Sequence, residues 1–318
     1  MIARSARMRG FEVLFPIGID RNGLPVEIYT EKKYGISIHG TPREKFIELC
    51  RHALDDLEAE MIQIMKTMGL SGDFENYYRT DSEEYRKLTQ ATFIELWNRG
   101  LIYEATRPNN YCPVCRTTIA DAEVEYKELP TQLVYIKFKV VETGEDLVIA
   151  TTRPELLCSC QAVIVNPRDE RYKHLHGKHA IVPVYGRKVP IIPHPYAKME
   201  FGTGVVMICS YGDYSDVLLF RELKLKEIIA INIEGKMTKE AGKYAGLSVG
   251  EARKRIIEDL DKMGLVIKKE EVMHRTPTCE RSKNPIEIIP MKDCILYTSD
   301  AADEGLGVDL GGRRIIKK

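Results

Sequence analysis

The chain has 318 residues, 44% hydrophobic and 30% charged, so it can bury ordinary globular cores, and its length favours two domains. Its 47 basic and 47 acidic residues cancel, which excludes a whole-chain electrostatic attraction to nucleic acid but leaves a local basic face open. No apolar run reaches membrane-spanning length, and no signal-peptide pattern opens the chain, so we expect a cytoplasmic protein without membrane contact. The eight cysteines then favour thiols or a metal site over a disulfide framework.

The first 125 residues show a helical pattern with one short early strand, "EVLF" at 12–15. A long helix is predicted from Thr41, because Thr41 and Glu44 have capping-box spacing and Pro42 suits a first turn. Its apolar stripe comprises Phe46, Cys50, Ala53, Leu57, Met61, Ile64 and Met68, and Gly69 ends it. A second helix is predicted from Ser82 to Arg99.

From about 130 to 235 the hydrophobic period changes to two, which indicates strands. The predicted strands are "LVYIKFKV", "LVIA", "QAVIV", "HAIVPV", "KVPII" and "GVVMIC", with a tight hairpin at "VYGRKV". A late helix begins at a Ser248/Glu251 capping box, faces Ala252, Ile256, Leu260 and Met263 inward, and ends at Gly264. Many short strands joined by turns favour a compact, mainly antiparallel barrel placed after the helical part.

One candidate binding residue, Asp20, lies in the turn "PIGIDRNGLP" directly after the early strand. A carboxylate at the carboxyl end of a strand is where open α/β sheets place their ligands, and it suits a cationic ammonium group. The spacing alone also fits, and by itself favours, an aspartate that only caps its own turn.

A Cys-x2-Cys pair, Cys112 and Cys115, has the spacing of half a structural zinc site. The second half has to come from "HRTPTCERSKNP", which supplies Cys279 but has Ser282 where another cysteine belongs. A zinc site of three cysteines and a substitute, with His274 as one candidate, and no zinc at all are both left open.

Two further stretches carry polar groups at the end of apolar strands. "VIATTRPELL", residues 148–157, stops on two hydroxyls and a guanidinium, and Pro154 prevents the strand from continuing. "GVVMICSYGDYSD" ends with Asp213 and Asp216, which would share a face if the segment turns helical. Such a pair of carboxylates suits an α-ammonium group and a positioned water, but the same sequence also fits an acidic turn exposed to solvent. The lysines of "GKMTKEAGKY" lack a phosphate-loop frame and are interpreted as surface.

Taken together and in order, the motifs resemble those of the archaeal valyl-tRNA synthetases over about residues 1–294. The stretches that carry the resemblance are "MRGFEVLFPIGIDRNGLPVE", "NNYCPVCRTTIADAEVEY", "IATTRPELL", "DERYKHLHGKHAIVPVYGRKVPII", "EFGTGVVMICSYGDYSD" and "HRTPTCERSKNPIEIIPMK". The isoleucine and leucine enzymes share the architecture, and "TTRPELL" followed by "GDYSD" favours the valine branch.

The resemblance implies an α/β fold: a partial Rossmann-type catalytic domain interrupted by a β-barrel-like editing domain. The implied boundaries are 1–128 for the catalytic part, 129–272 for the editing domain, 273–294 for the return, and 295–318 for an unmatched tail that we expect to be disordered or artefactual. The implied activity is ATP-dependent attachment of valine to tRNA(Val), with hydrolysis of misformed threonyl-tRNA(Val). Its partners are tRNA(Val), valine and threonine, its cofactors are ATP and a structural zinc ion, and we expect a monomer.

The resemblance also implies roles for individual residues. Thr151 would contact the misattached amino acid and the terminal adenosine of the tRNA, with Arg153 in the same hydrolytic pocket. Asp216 would hold the substrate's ammonium group, with Asp213 as its acidic neighbour. The neighbouring pocket residues Thr152 and Glu155 are assigned to substrate binding. Asp20 would hold valine's ammonium group in the synthetic site.

The chain departs from the family pattern in ways that open other hypotheses. The His-Ile-Gly-His-type and Lys-Met-Ser-Lys-Ser signatures, which bind ATP phosphates, are missing; "SIHG" and "KMTKE" do not replace them. The chain would therefore be a fragment that retains editing alone. Alternatives are a free-standing trans-editing hydrolase, an isoleucyl- or leucyl-tRNA synthetase fragment, or an inert fragment whose catalytic part exposes unpaired strand edges.

Overall fold

The structure, a computed structural model, describes residues 1–296, so what we expect of the tail beyond them lies outside the described residues. The chain is mixed α/β and divides into two compact units, Met1–Tyr103 and a second from Glu104 onward. The boundaries expected from the family resemblance stay a prediction. Within residues 1–296, no helix combines the length and the apolar character needed to cross a membrane.

The first unit contains four helices and a parallel pair of strands. Its elements are α1 (Ile2–Met8), β1 (Pro16–Ile19), α2 (Leu24–Tyr34), α3 (Arg43–Thr67), β2 (Asp73–Arg79) and α4 (Glu83–Asn98). The early strand was predicted at 12–15, which is wrong: it starts at Pro16, because Ile17 and Ile19 are the alternate residues that bury there. Gly18 between them has no room for a Cβ, which would overlap the ring of Tyr78.

For helix α3, the sequence pattern predicted part of the buried face correctly but not the cap. Phe46 and Ala53 are buried as expected, but the stripe's second half is not, since Ile64 is 50% exposed and Met68 is 81% exposed. The predicted Thr41 cap is wrong: Pro42 occupies the N-cap position, and no side chain among residues 1–296 caps the helix. Helix α4 begins as predicted, with the Ser82 hydroxyl accepting the backbone N–H of Tyr85.

The second unit is built on a seven-stranded sheet in the order β10-β7-β9-β8-β5-β11, with β6 also paired to β5. Its strands are β5 (Val124–Val140), β6 (Asp146–Thr151), β7 (Cys160–Val165), β8 (His179–Ile181), β9 (Lys188–Pro193), β10 (Val205–Cys209) and β11 (Val266–Cys279). All pairs are antiparallel except β7 with β9. A smaller sheet in the order β12-β3-β4 joins β12 (Glu287–Leu296), β3 (Ile102–Cys112) and β4 (Thr117–Thr118).

The core of this unit follows the alternation seen in the sequence. Val134, Ile136, Phe138 and Val140 of β5 are all 0% exposed, and burying each such side chain contributes about 1.5–3 kcal/mol. Helix α6 (Val249–Lys262) packs Ile256 and Leu260 into the same core beneath its Ser248/Glu251 capping box, as predicted. Met263, predicted to face inward, is 56% exposed because it follows the last helical residue as the C-cap.

The seven-stranded sheet curls, and the curl brings two strand ends together. Ahead of β10, the hydroxyl of Thr203 donates a 2.7 Å hydrogen bond to the carbonyl oxygen of Val148 on β6. Strands β6 and β10 therefore lie side by side although no ladder joins them in the described sheet. This proximity places the end of β6 beside the turn that follows β10.

Candidate functional site

The end of β6 is shaped by its own sequence. Thr151 is the last strand residue, opposite Val134 of β5, and its hydroxyl oxygen accepts the backbone N–H of Arg153 at 3.0 Å. Pro154 has no N–H for a ladder and opens a 3₁₀ helix, Pro154–Ser159, instead. Thr151 is 8% exposed, whereas Thr152 and Arg153 are half-buried. Hydroxyl and guanidinium groups thus stand where an apolar strand stops.

The turn after β10 supplies the two aspartates. Asp213 is the N-cap of helix α5 (Tyr214–Glu222), and its Oδ1 accepts the backbone N–H of Asp216 at 2.9 Å. The helix therefore begins after Asp213, and cap geometry rather than a shared helical face brings the two residues together. Tyr211, just before the turn, has the left-handed φ of 63°, a conformation uncommon for a residue with a side chain.

The carboxylate of Asp216 lies in a close-fitting position against this turn. A Cβ added to Gly212 would overlap Asp216 Oδ2 and lie 3.2 Å from Cδ1 of Leu156, so only glycine leaves room for the carboxylate. Burial, reinforced by the negative charge of Asp213, raises the pKa of Asp216 well above that of an ordinary aspartate. A cation entering here would favour the charged carboxylate, which suits an ammonium group.

Arg153 connects the two strand ends. One terminal nitrogen of its guanidinium donates to the carbonyl oxygen of Gly212 at 3.1 Å, and its Nε donates to Glu155 Oε1 at 3.0 Å. The other terminal nitrogen donates to Glu287 Oε2 at 2.7 Å. Burial alone would lower the pKa of Arg153, but the attraction of Glu287 and Glu155 outweighs it and raises the pKa, so the guanidinium is fully charged.

Glu155 is fully committed to two arginines. Its side chain is 0% exposed, and Arg253 of α6 donates to Oε2 at 2.9 Å and to Oε1 at 2.8 Å. Burial acts to raise the pKa of Glu155, but these hydrogen bonds and the charge of Arg153 lower it. Glu155 was expected at the substrate, and in the structure its carboxylate is held by Arg153 and Arg253. Arg253 and Glu287 were not predicted from the sequence; the one available signal was a lone glutamate on the apolar stretch "NPIEIIP".

The predicted metal ligands come together in a separate cluster. The Sγ atoms of Cys112, Cys115 and Cys279 all lie within 4.8 Å of one another, and Cys115 and Cys279 are 3.9 Å apart. Tetrahedral zinc with bonds of about 2.3 Å needs sulfur atoms about 3.8 Å apart, so the donor set fits zinc. Ser282 Oγ lies 3.2 Å from Cys112 Sγ and is the nearby oxygen donor.

His274 lies elsewhere on β11, where it stands opposite Leu129 while Cys279 stands opposite Val124. Its Nδ1 is 3.0 Å from the hydroxyl of Thr276. The described residues therefore give the cluster three thiols and a serine hydroxyl rather than a histidine.

Asp20 belongs to the first unit and directly follows β1, as expected. Its Oδ1 accepts the backbone N–H of Asn22 at 3.1 Å and the hydroxyl of Thr80 at 2.9 Å, so it does cap its own turn. The next residue, Arg21, is 5% exposed and donates to Glu58 at 2.5 Å and to Asp55 at 2.7 Å. These ion pairs fix the turn and leave Asp20 exposed.

Comparison with known proteins defines the class to which these features belong. A family model described as "tRNA synthetases class I (I, L, M and V)" matches residues 1–299, and the chain belongs to this family. Its sequence is 52% identical over 296 residues to the valine–tRNA ligase of Pyrobaculum aerophilum, covering 93% of this chain and 37% of the relative. It is 53% identical over 295 residues to that of Nanoarchaeum equitans, covering 93% and 39%.

These matches confirm the resemblance to valyl-tRNA synthetases expected from the motifs, and the chain spans less than two fifths of the length of these two relatives. Among solved structures, the match to the LeuRS–tRNA–LeuAMS ternary complex of Agrobacterium radiobacter K84 covers 86% of this chain and 41% of the matched chain. At 18% identity and a TM-score of 0.37, that similarity is too low to support any argument.

Proposed function

We propose that the chain is part of a valine–tRNA ligase, which attaches valine to tRNA(Val) at the expense of ATP, and that the curled sheet of the second unit is its barrel-like editing domain. The identity of 52–53% to valine–tRNA ligases supports the first part. The observation that carries the second is the contact between the end of β6 and the turn after β10: Arg153 donates to the carbonyl oxygen of Gly212, and the carboxylate of Asp216 packs against Gly212.

Within this proposal, the chain itself performs the hydrolytic step. Its 318 residues contain neither phosphate-binding signature of the synthetic reaction, so no residue here is assigned to ATP. Asp20 is the residue proposed to hold valine's ammonium group, in a turn fixed by Arg21.

The need for hydrolysis follows from shape. Threonine is nearly isosteric with valine, and valyl-tRNA synthetases are the established example of a pocket that rejects the added hydroxyl by only about a hundredfold. A second site lined with hydroxyl and carboxylate groups can hydrogen-bond threonine's side chain but leaves valine's methyl group beside unpaired polar atoms. Such a site is selective because it positions the threonyl ester, and not the valyl ester, for attack by water.

Each residue of the site has a chemical part in this step. The carboxylate of Asp216 accepts the α-ammonium group of the misattached threonine, and the charge of Asp213 draws that cation into the turn. The hydroxyls of Thr151 and Thr152 face the terminal adenosine and the amino acid. Water then attacks the ester carbonyl; the bond to the ribose oxygen breaks, and threonine and intact tRNA leave.

Zinc, when bound, would hold Cys112, Cys115 and Cys279 as thiolates in a structural site. Burial and the neighbouring thiols raise the pKa of Cys115 to about 12, which binding of a cation has to overcome by displacing the proton. The proposed role is to fix the junction between β3 and the end of β11.

The proposal is tested by deacylation of threonyl-tRNA(Val) with the purified chain. Asp216→Asn keeps the shape of the side chain but removes its charge, and the rate should fall at least 100-fold. Glu258→Gln is the matched control, because Glu258 is exposed on α6 and is not one of the residues assigned to the site; its rate should stay within twofold. Equal activity of the wild-type and Asp216→Asn chains would show that the turn is not the hydrolytic site.

A further inference from the structure

We infer that Glu287 is a positioning residue of the hydrolytic site: through Arg153 it holds the carbonyl of Gly212, and with it the turn that carries Asp216. This inference rests on the proposed function of that site. It assigns a part of the site to a residue outside segment 129–272, which the sequence suggests as the complete editing domain.

The guanidinium of Arg153 is held at three acceptors on three different parts of the chain. Glu287 accepts from one terminal nitrogen at 2.7 Å, Gly212 from the other at 3.1 Å, and Glu155 from Nε at 3.0 Å. A guanidinium is planar and its N–H directions are fixed, so fixing two sides of it orients the third. The two glutamates thus aim the remaining side of Arg153 at Gly212.

The carbonyl of Gly212 matters because of where it lies. The 212–213 peptide follows Tyr211, whose φ is 63°, and precedes Asp213, the N-cap of α5. The carboxylate of Asp216 packs where a Cβ of residue 212 would be. Rotation of this peptide therefore changes the space available to Asp216, and the bond from Arg153 opposes that rotation.

Glu287 is itself well anchored. It is the first residue of β12 and is 8% exposed. Ile286, before it, packs in the apolar cluster with Cys112 and Cys279, and Ile289, after it, packs in the core of the seven-stranded sheet. The strand therefore presents the carboxylate of Glu287 from a fixed position, and the thiol cluster on one side contributes to that.

If Glu287 only stabilised the fold, its substitution would give a different result from the one expected if it positions the turn that carries Asp216. Asp293 provides the comparison, because it lies on the same strand and pairs with Arg107 at 3.7 Å and with Asn109. Glu287→Gln and Asp293→Asn each remove one carboxylate charge from β12, but of the two only Glu287 accepts a hydrogen bond from Arg153. Glu287→Asp keeps the charge on a shorter side chain and should restore part of the function.

The experiment uses the full 318-residue chain and two readouts. Single-turnover deacylation of threonyl-tRNA(Val), at varied enzyme excess, separates the rate constant from the half-saturating concentration. Amide hydrogen exchange measures the opening of residues 210–217. For Glu287→Gln we expect a rate constant at least tenfold lower, half-saturation within threefold of wild type, and exchange at least tenfold faster in that segment. Glu287→Asp should recover part of both, and Asp293→Asn should change neither.

Unchanged exchange in residues 210–217 of Glu287→Gln would overturn the inference, as would the same losses in Asp293→Asn. Should Glu287→Gln fail to fold, the comparison of Glu287→Asp with Asp293→Asn decides the matter by the same two readouts. A wild-type chain without deacylation would overturn the proposed function instead, and the exchange result would still decide whether Glu287 holds the turn.

Discussion

Replacing Glu155 by glutamine should destabilise the second unit strongly. Glu155 is 0% exposed between Arg153 and Arg253, and with Glu287 the four side chains balance two positive against two negative charges. The substitution keeps the shape of the side chain but leaves an uncompensated positive charge. Removing one partner from a buried ion pair costs about 3–5 kcal/mol.

The lower end of that range applies here. The side chain of Arg153 is 22% exposed and that of Arg253 is 31% exposed, so water can relieve part of the stranded charge. We expect a loss of about 3 kcal/mol. With a urea dependence of about 2 kcal/mol per molar, the unfolding midpoint should fall by about 1.5 M.

The assay is urea unfolding followed by far-UV circular dichroism. Trp97, the single tryptophan, lies in the first unit, so its fluorescence reports on that unit separately. Glu258→Gln on the surface of α6 should change the midpoint by less than about 0.25 M, as expected for a change of under 0.5 kcal/mol.

The pH dependence gives a second check. The pKa of Glu155 is lowered in the folded chain, so its contribution is present above the ordinary glutamate pKa of about 4.3 and is lost as pH falls through the lowered value. The difference between wild type and Glu155→Gln should therefore shrink in acid. A midpoint change below about 0.3 M at pH 7 would refute the reasoning, because it would mean that the network is not electrostatically buried.

Two further predictions concern the carboxylate and the thiols. Asp216→Asn should raise the melting temperature at pH 7.5 but not at pH 3.5, as measured by scanning calorimetry at both pH values. The reason is that the pKa of Asp216 is raised in the folded chain, so ionising this carboxyl group lowers the stability only at pH values above the ordinary aspartate pKa. Cys279→Ser should abolish zinc binding, and Ser282→Cys should tighten it, as measured by chelator competition; equal affinities in all three chains would contradict the cluster as the zinc site.

Local features of the fold were predictable because their causes are local. The caps of α4 and α6 depend on Ser82 and Ser248, each bonded to a backbone group three residues away. The alternation of β5 depends only on which residues face the core. Thr41 failed as a cap because the backbone of the neighbouring Pro42 takes the capping position, which composition does not reveal.

The arrangement of the candidate site was predictable in part, while the roles of its residues stay a prediction. Thr151, Arg153, Asp213 and Asp216 were named from strand ends and from the family resemblance, and the curl of the sheet brings these strand ends together. Arg253 and Glu287 were missed, because they lie 98 residues from Glu155 and 134 from Arg153, and no local pattern marks so distant a pairing.

The measurement that tests the central claim most directly is the ratio of two initial rates, deacylation of threonyl-tRNA(Val) and of valyl-tRNA(Val), by the same preparation of the chain. We predict rapid loss of threonine with valine left in place, a ratio of at least 100. A ratio near one, or faster hydrolysis of valyl-tRNA(Ile) than of threonyl-tRNA(Val), would contradict the account, since the polar pocket would then not be selective for threonine.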